Sequence, residues 1–236
     1  MITMDKKALI ESVIDLYKAA REIKLSFTYD NEKIRRGRSH TIASLTEDLF
    51  AYFLSNKFPQ VDKIVIDQPI SFRSTEKART IYPDLALIQN GTINTILDIK
   101  MDLGRKRSEV VNLFKGAQNI VREMRGKQVW YRDGITKQLF HATVTGNVKY
   151  FIVVFSRQNI NQAFLNSEIE KLQSSYFCNA QFYFLTDKAH PNSQNTEAAK
   201  ISIEVLPDFD KLLDELNERT TGVLLQAGGE EQVISF

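Results

Sequence analysis

An α/β fold with a mixed central sheet flanked by helices is predicted by three observations on this 236-residue chain. Apolar residues recur at helical spacing over residues 5–25, 42–56 and 105–126. They alternate or run together in the manner of strands over 61–70, 81–101 and 148–156. The segments follow one another as helices, a three-strand meander, a helix, then strand and helix in alternation, an order that builds one sheet covered by helices. With 43% hydrophobic and 25% charged residues, the chain has enough apolar side chains for one compact domain over 1–236. The core is expected over about 40–156, elaborated by the helix of residues 5–25 and by strand–helix units over 157–236.

Each element has its local reason. Leu9, Ile10, Val13, Leu16, Tyr17 and Ala20 line one helical face behind Asp5. After a polar stretch holding Lys33, Arg35, Arg36 and Arg38, a second helix carries Ile42, Leu45, Leu49, Phe50, Phe53 and Leu54. Ile64, Ile66 and Ile70 alternate as strands do, and a gap of Ser, Thr, Glu and Lys separates them from the run Ile81 to Ile88. Asn90-Gly91 between apolar runs is a hairpin signal, because both residues tolerate positive φ, so Tyr82–Gln89 and Thr92–Met101 are expected as antiparallel neighbours. Val110, Phe114, Ala117, Val121 and Met124 return to helical spacing, with Gly126 as the stop. A segment holding Trp130 and His141 has little pattern, and Val148–Ser156 follows as a strand rich in β-branched and aromatic residues. Beyond it the sequence predicts a helix over 161–175, a strand over Ala180–Thr186, a loop over Asp187–Thr196, a short strand over Ile201–Leu206, a helix over Phe209–Glu218 and a loose tail at Gly228-Gly229.

Composition excludes several chemistries. Thirty-one Lys and Arg against 29 Asp and Glu leave a net charge of +2, so any anion site is a local patch and not a basic coat. One cysteine, Cys178, allows no internal disulfide, and three histidines are too few for a zinc cluster. The longest apolar run, Tyr150 to Phe155, is six residues, where a membrane helix needs roughly 20. The opening Met-Ile-Thr-Met-Asp-Lys-Lys has no signal-peptide character, so a soluble cytoplasmic protein without a membrane partner is expected.

The informative chemistry lies in residues 81–102. Pairing across the Asn90-Gly91 turn brings Asp84 and Asp98 to one end of the sheet. Residues two apart on a strand share a face, so Lys100 projects beside Asp98 while Ile99 points to the buried side. Carboxylates gathered in apolar strands require a neutralising cation, and a hard divalent ion with oxygen ligands suits them. A lysine at such a site holds an attacking water or stabilises a charged phosphoryl group, beside an ion that polarises the phosphate. Phosphodiester hydrolysis uses this set of parts. Glu47, at the edge of the apolar face of helix 42–56, is a third carboxylate that can be aimed at the sheet or stand in solvent.

Pro83-Asp84, thirteen intervening residues and Asp98-Ile99-Lys100 together resemble the PD-(D/E)xK nuclease superfamily, and the upstream helix with Glu47 resembles its first core helix. The likeness covers roughly residues 40–156. It implies a restriction-endonuclease-like core and Mg²⁺-dependent cleavage of double-stranded DNA, with Mn²⁺ as a possible substitute. It further implies Asp84, Asp98 and the Ile99 carbonyl as metal ligands, Glu47 as an accessory ligand and Lys100 as the residue that activates water. Gln118, in the helix after Lys100, matches loosely a glutamine that some members hold near the site. A type II restriction endonuclease acting as a homodimer is the leading expectation, since cutting both strands usually takes two sites. A structure-specific repair or recombination nuclease and a catalytically inactive DNA-binding member of the fold are the alternatives.

Basic residues flank these elements. Arg35, Arg36 and Arg38 precede the Glu47 helix, and Arg105, Lys106 and Arg107 follow Lys100. Phosphate contact is their expected use, giving affinity without sequence readout; a third set, Arg122–Lys127, reads equally as a solvated face. Plainer readings stand beside the rest. Asp84 also reads as a strand-entry residue bonding a turn, Asp98 and Lys100 as a surface ion pair, Asp102 as a solvated strand end, His40 and His141 as structural or exposed positions, and Cys178 as a buried apolar residue. Trp130, Tyr131 and Arg132 read either as a satellite core or as a group that reaches a groove or stacks on a base.

Overall fold

The computed structural model describes residues 4–22, 41–74, 77–104, 107–158, 160, 162–164, 167, 169–174, 179–187 and 195–227. The chain runs α1 (Lys6–Glu22), α2 (Ala43–Lys57), β1 (Lys63–Ile66), β2 (Ile70–Arg73), β3 (Ala78–Ile81), β4 (Leu85–Gln89), β5 (Thr92–Lys100), α3 (Arg107–Met124), β6 (Gln128–Arg132) and β7 (Leu139–Ser156). It continues through α4 (Gln162–Phe164), α5 (Glu170–Gln173), β8 (Ala180–Asp187), α6 (Thr196–Ile201), β9 (Glu204–Val205) and α7 (Pro207–Ala227). The fold is α/β with a mixed central sheet flanked by helices, and among the described residues no helix is long and apolar enough to cross a membrane.

The sheet follows the order β1-β4-β5-β7-β6-β2-β3, and β8 and then β9 join it beside β7. β5, β7 and β8 are parallel to one another, and the other pairings are antiparallel. The first part of β7 pairs with β6 and the last part with β8, so one strand of 18 residues joins two sub-sheets. Alternation sends Ala86, Ile96, Ile152 and Val154 to one face, where α3 covers them with Val110, Phe114, Ala117 and Val121. Leu85, Leu87, Leu97, Ile99, Phe151 and Val153 go to the other face, against α1, α2 and α7 with Phe50, Leu54, Phe209 and Leu212. Each of the Val, Leu, Ile and Phe side chains among them stabilises the fold by about 1.5–3 kcal/mol. Helix starts obey local rules: Asp5 caps α1 by accepting the Ala8 amide at 2.7 Å, and α7 opens on Pro207 with Asp208 and Asp210 in its first turn.

The expected elements need four corrections. The polar gap before Ile81 contains β3, which pairs with β2, so the meander is extended by a hairpin that docks on β6. The unpatterned segment around Trp130 and His141 holds β6 and the start of β7; its core-facing residues Val129, Tyr131, Ala142 and Val144 alternate with exposed ones, a signal spread over two short strands. Over 161–175 the expected helix agrees with the structure, since every described residue from 162 to 173 is helical, α4 and α5 among them. Ile201 ends α6 and is 85% exposed, leaving β9 just two residues. α7 extends to Ala227, well past Glu218. On α2, Leu45 and Tyr52 point outward and Thr46 takes a buried position instead. His40, Cys178 and Gly228-Gly229 lie outside the described residues.

The hairpin forms as expected, with Asn90 at φ 48° and Gly91 at φ 67°. It also contains a bulge. Gln89 faces Thr92 and Ile88 faces Ile93, but Leu87 faces Thr95, so Asn94 is an extra residue on β5. Its side-chain amide donates to the Arg219 carbonyl of α7 at 3.2 Å. Leu85 then faces Leu97 in the last rung, and continuing the alternation one step puts Asp84 on the face of Asp98. Without the extra residue Asp84 would stand across from Leu97, whose side chain belongs to the opposite face.

A Cβ on Gly91 meets nothing within 4 Å, so a substitution there is penalised by backbone strain alone. Gly91→Ala is expected to lower stability by about 1–2 kcal/mol in urea denaturation, while Gly134→Ala, at ordinary φ and equally open, changes it by no more than about 0.5 kcal/mol. Equal effects at the two glycines would contradict the assigned turn.

Candidate active site

Asp84, just before β4, meets Asp98 and Lys100 at the end of β5. β4 begins after Pro83, and Asp84 fixes this corner with its backbone and its side chain. The Asp84 carbonyl accepts the amide of Asp67, the left-handed residue (φ 44°) that closes β1, at 2.8 Å. Its carboxylate Oδ2 accepts the amide of Ile99, continuing the ladder by one rung where the β4 backbone has ended. Ile99 packs its side chain on the α1/α2 side, which leaves Asp98 and Lys100 on the α3 face. The Lys100 Nζ lies 2.9 Å from Asp98 Oδ1 and 3.6 Å from Asp84 Oδ2. The carboxylates are mostly enclosed, with side-chain exposures of 19% for Asp84 and 11% for Asp98, while Lys100 keeps 35%.

Electrostatics at this corner are unbalanced. Burial, then the facing Asp98, push the Asp84 carboxyl up to about 6, against the Ile99 amide and Lys100, which favour its charged form. Burial pulls the Lys100 ammonium down, but Asp98 and Asp84 together outweigh it and hold the lysine above its ordinary value. Lys100 is therefore a fixed cation at neutral pH. Glu47, on α2, is also raised, by burial and then by Asp84 and Asp67. One ammonium thus serves a cluster that holds more negative charge than it neutralises.

Asp84 and Asp98 are oxygen donors of the type a hard divalent cation takes. Asp84 and Asp98 present carboxylate oxygens on one face, and the Ile99 carbonyl points to the same side as its amide, toward Asp84. The unneutralised charge on Asp84 and Glu47 is what such an ion would relieve. Among the described residues, however, no three His, Cys, Asp or Glu side chains are drawn close enough to hold a metal between them. Lys100 gathers Asp84 and Asp98 onto itself, and Glu47 reaches the corner from the helix on the opposite face of the sheet, sensed through charge alone.

The other expected residues divide. Gln118 Oε1 accepts the amide of Asn179 at 3.1 Å, so this glutamine ties α3 to the start of β8. Arg35, Arg36, Arg38, Arg105 and Lys106, and the side chain of Arg107, lie outside the described residues. Asp102, just past β5, accepts the Gly104 amide at 2.7 Å. Two neighbours were missed by sequence reasoning. Asp67 contributes to the acidic field, and Tyr150 is a buried phenol on the same face as Asp98, whose cross-strand partner is Ile152. Burial, then Asp98 and Asp84, drive the Tyr150 hydroxyl far above its ordinary value, so it is a permanent donor. The signal for Tyr150 was its phase: it stands two residues before Ile152 on a strand running parallel to β5.

No protein-family model, curated protein or solved structure matches the chain.

Because the native Asp84 carboxyl titrates near 6 and an unfolded one near 3.8, the native state binds more protons between those pH values, and stability falls as pH rises through that window. Asp84→Asn keeps the acceptor for Ile99 and removes the repulsion. At pH 8 the variant is expected to be more stable than the metal-free wild type by about 1–2 kcal/mol, the gain vanishing below about pH 4. Thermal melts in chelator at the two pH values check this, and a wild type that is the more stable at pH 8 would contradict it.

Proposed function

We propose that this chain is a Mg²⁺-dependent endonuclease that hydrolyses phosphodiester bonds of double-stranded DNA on a restriction-endonuclease-like core. The observation that carries the reading is the convergence of Asp84 and Asp98 on one face at a strand end, with Lys100 within 2.9 Å and 3.6 Å of them. Asp84, Asp98 and the Ile99 carbonyl are the residues to hold the ion, with Glu47 as accessory; Mn²⁺ is a possible substitute. The bound ion supplies Lewis acidity toward the phosphate and lowers the pKa of a water.

Lys100 acts as a cation throughout, since its carboxylate neighbours raise its pKa. It orients the attacking water by donating to it and offsets charge that develops on the phosphoryl oxygens. The water oxygen joins phosphorus and releases its proton to solvent, the bond from phosphorus to the departing sugar oxygen breaks, and that oxygen takes a proton from solvent. The Ile99 amide keeps Asp84 aimed at the corner, and the leucines and phenylalanines behind it exclude water from the other side. Cutting both strands in one encounter requires two such sites, so a homodimer of the restriction type belongs to this reading.

A second reading has one observation in its favour. Lys100 already bridges the two acids, the arrangement of a self-neutralised corner in a catalytically inactive DNA-binding member of the fold. Incubation of supercoiled plasmid with Mg²⁺ separates the two. The wild type is expected to linearise it, with discrete fragments from a long duplex, and Lys100→Ala to be slower by about 10²–10³-fold. A wild type as inert as Lys100→Ala would leave only the second reading, and cleavage confined to branched or nicked DNA would replace restriction by repair.

A further inference from the structure

We propose that the open face of the β3-β2-β6-β7 sub-sheet is a docking surface for the flank of a duplex DNA. One face of this arm is core: Ile70, Phe72, Val129, Tyr131 and Ala142 are buried. Among the described residues the other face is exposed at Arg73, Thr80, Arg132 and His141 and half-buried at Ser71 and Trp130. Thr80, Ser71, Trp130 and His141 stand in register as one cross-strand row, and Arg73 and Arg132 are exposed to either side of it. Ser71 and Thr80 join hydroxyls at 2.8 Å, Trp130 is half-buried, and Arg73 makes no hydrogen bond or ion pair among the described residues.

Charge favours a polyanion. Counting both faces, residues 70–81 and 125–143 hold seven Lys and Arg against two acidic residues, a net +5 in a chain whose total is +2, with Arg79 of the seven paired to Glu123. The arm also adjoins the acidic corner. β3 leaves Ile81 only three residues before Asp84, at most about 11 Å of chain. Asp67 bonds to Asp84, and the next residue, Gln68, donates to the Arg132 carbonyl at 2.9 Å. Hydroxyl, imidazole and guanidinium groups around a single aromatic suit phosphate and sugar contacts along a duplex. A single-strand platform stacks successive bases on several aromatic side chains, and this face has one.

This inference rests on the nuclease reading for its choice of duplex, but its test reads binding alone. Trp130 is the chain's sole tryptophan and reports on the surface directly. A short mixed-sequence duplex titrated into the protein in EDTA is expected to change Trp130 emission saturably. Arg73→Gln combined with Lys77→Gln, both exposed positions, is expected to weaken binding roughly tenfold and to reduce the slope of log K against log salt by about two. Lys211→Gln on α7 serves as the control that leaves the slope within one unit of the wild type. Unchanged emission together with wild-type binding by the double variant would overturn the assignment, even if plasmid is cut. Stronger quenching by the corresponding single strand would overturn the choice of duplex. A saturable response to duplex from a protein that leaves plasmid intact upholds the arm and removes the nuclease reading.

Discussion

Two carboxylates converge one step beyond the last rung of an antiparallel pair, and the rest of the corner exists to hold them there. Directly opposed like charges destabilise a sheet, and here they stand where water has limited access. Asp84 bears the consequence as a carboxyl that titrates near 6. The position persists because three constraints act on it together: the Asp67 amide on its carbonyl, the Ile99 amide on its carboxylate, and the Lys100 ammonium between both acids.

The constraint reaches down the sheet to Asn94. The bulge brings Asp84 and Asp98 onto the same face, and its anchor is a hydrogen bond to the carbonyl of Arg219 on α7, at the other end of β5. The opposite face supplies the rigidity. Leu85, Leu97 and Ile99, the immediate neighbours of the acids, are sunk between α1, α2 and α7, so the strands cannot slip to relieve the repulsion without exposing them. Packing on one face therefore maintains an electrostatically unfavourable arrangement on the other, the pattern expected of a site shaped for a ligand and not for stability.

Where the physics is local, the sequence was legible. Asn90-Gly91 has the turn chemistry that forces β4 and β5 together, and the phase of Asp98, Ile99 and Lys100 follows from strand geometry alone. Helical spacing located α1, α2, α3 and α7. The arm was hidden because β3, β6 and the start of β7 have one partly exposed face, so polar residues such as Ser71, Thr80 and His141 interrupt the apolar signal and short strands give few repeats. The bulge was invisible because Asn94 is an ordinary polar residue whose role depends on α7, more than a hundred positions away. The same distance conceals Tyr150 and Asp67, which join the corner through strand pairing and a chain reversal. Gln118 had the right helix, but its amide serves the start of β8.

Charge is distributed as the corner requires. An acid-rich cluster with one lysine sits beside an arm of opposite sign, and the near-neutral total of +2 conceals both. The claim on which the catalytic reading depends is that the facing acids hold a divalent ion, and electron paramagnetic resonance of free Mn²⁺ during titration with the protein measures this without substrate or turnover. One Mn²⁺ bound per chain, displaced by Mg²⁺ and lost in Asp98→Asn, is the expected result. A wild type that leaves the free Mn²⁺ signal untouched, or an Asp98→Asn chain that binds as well as the wild type, would contradict it.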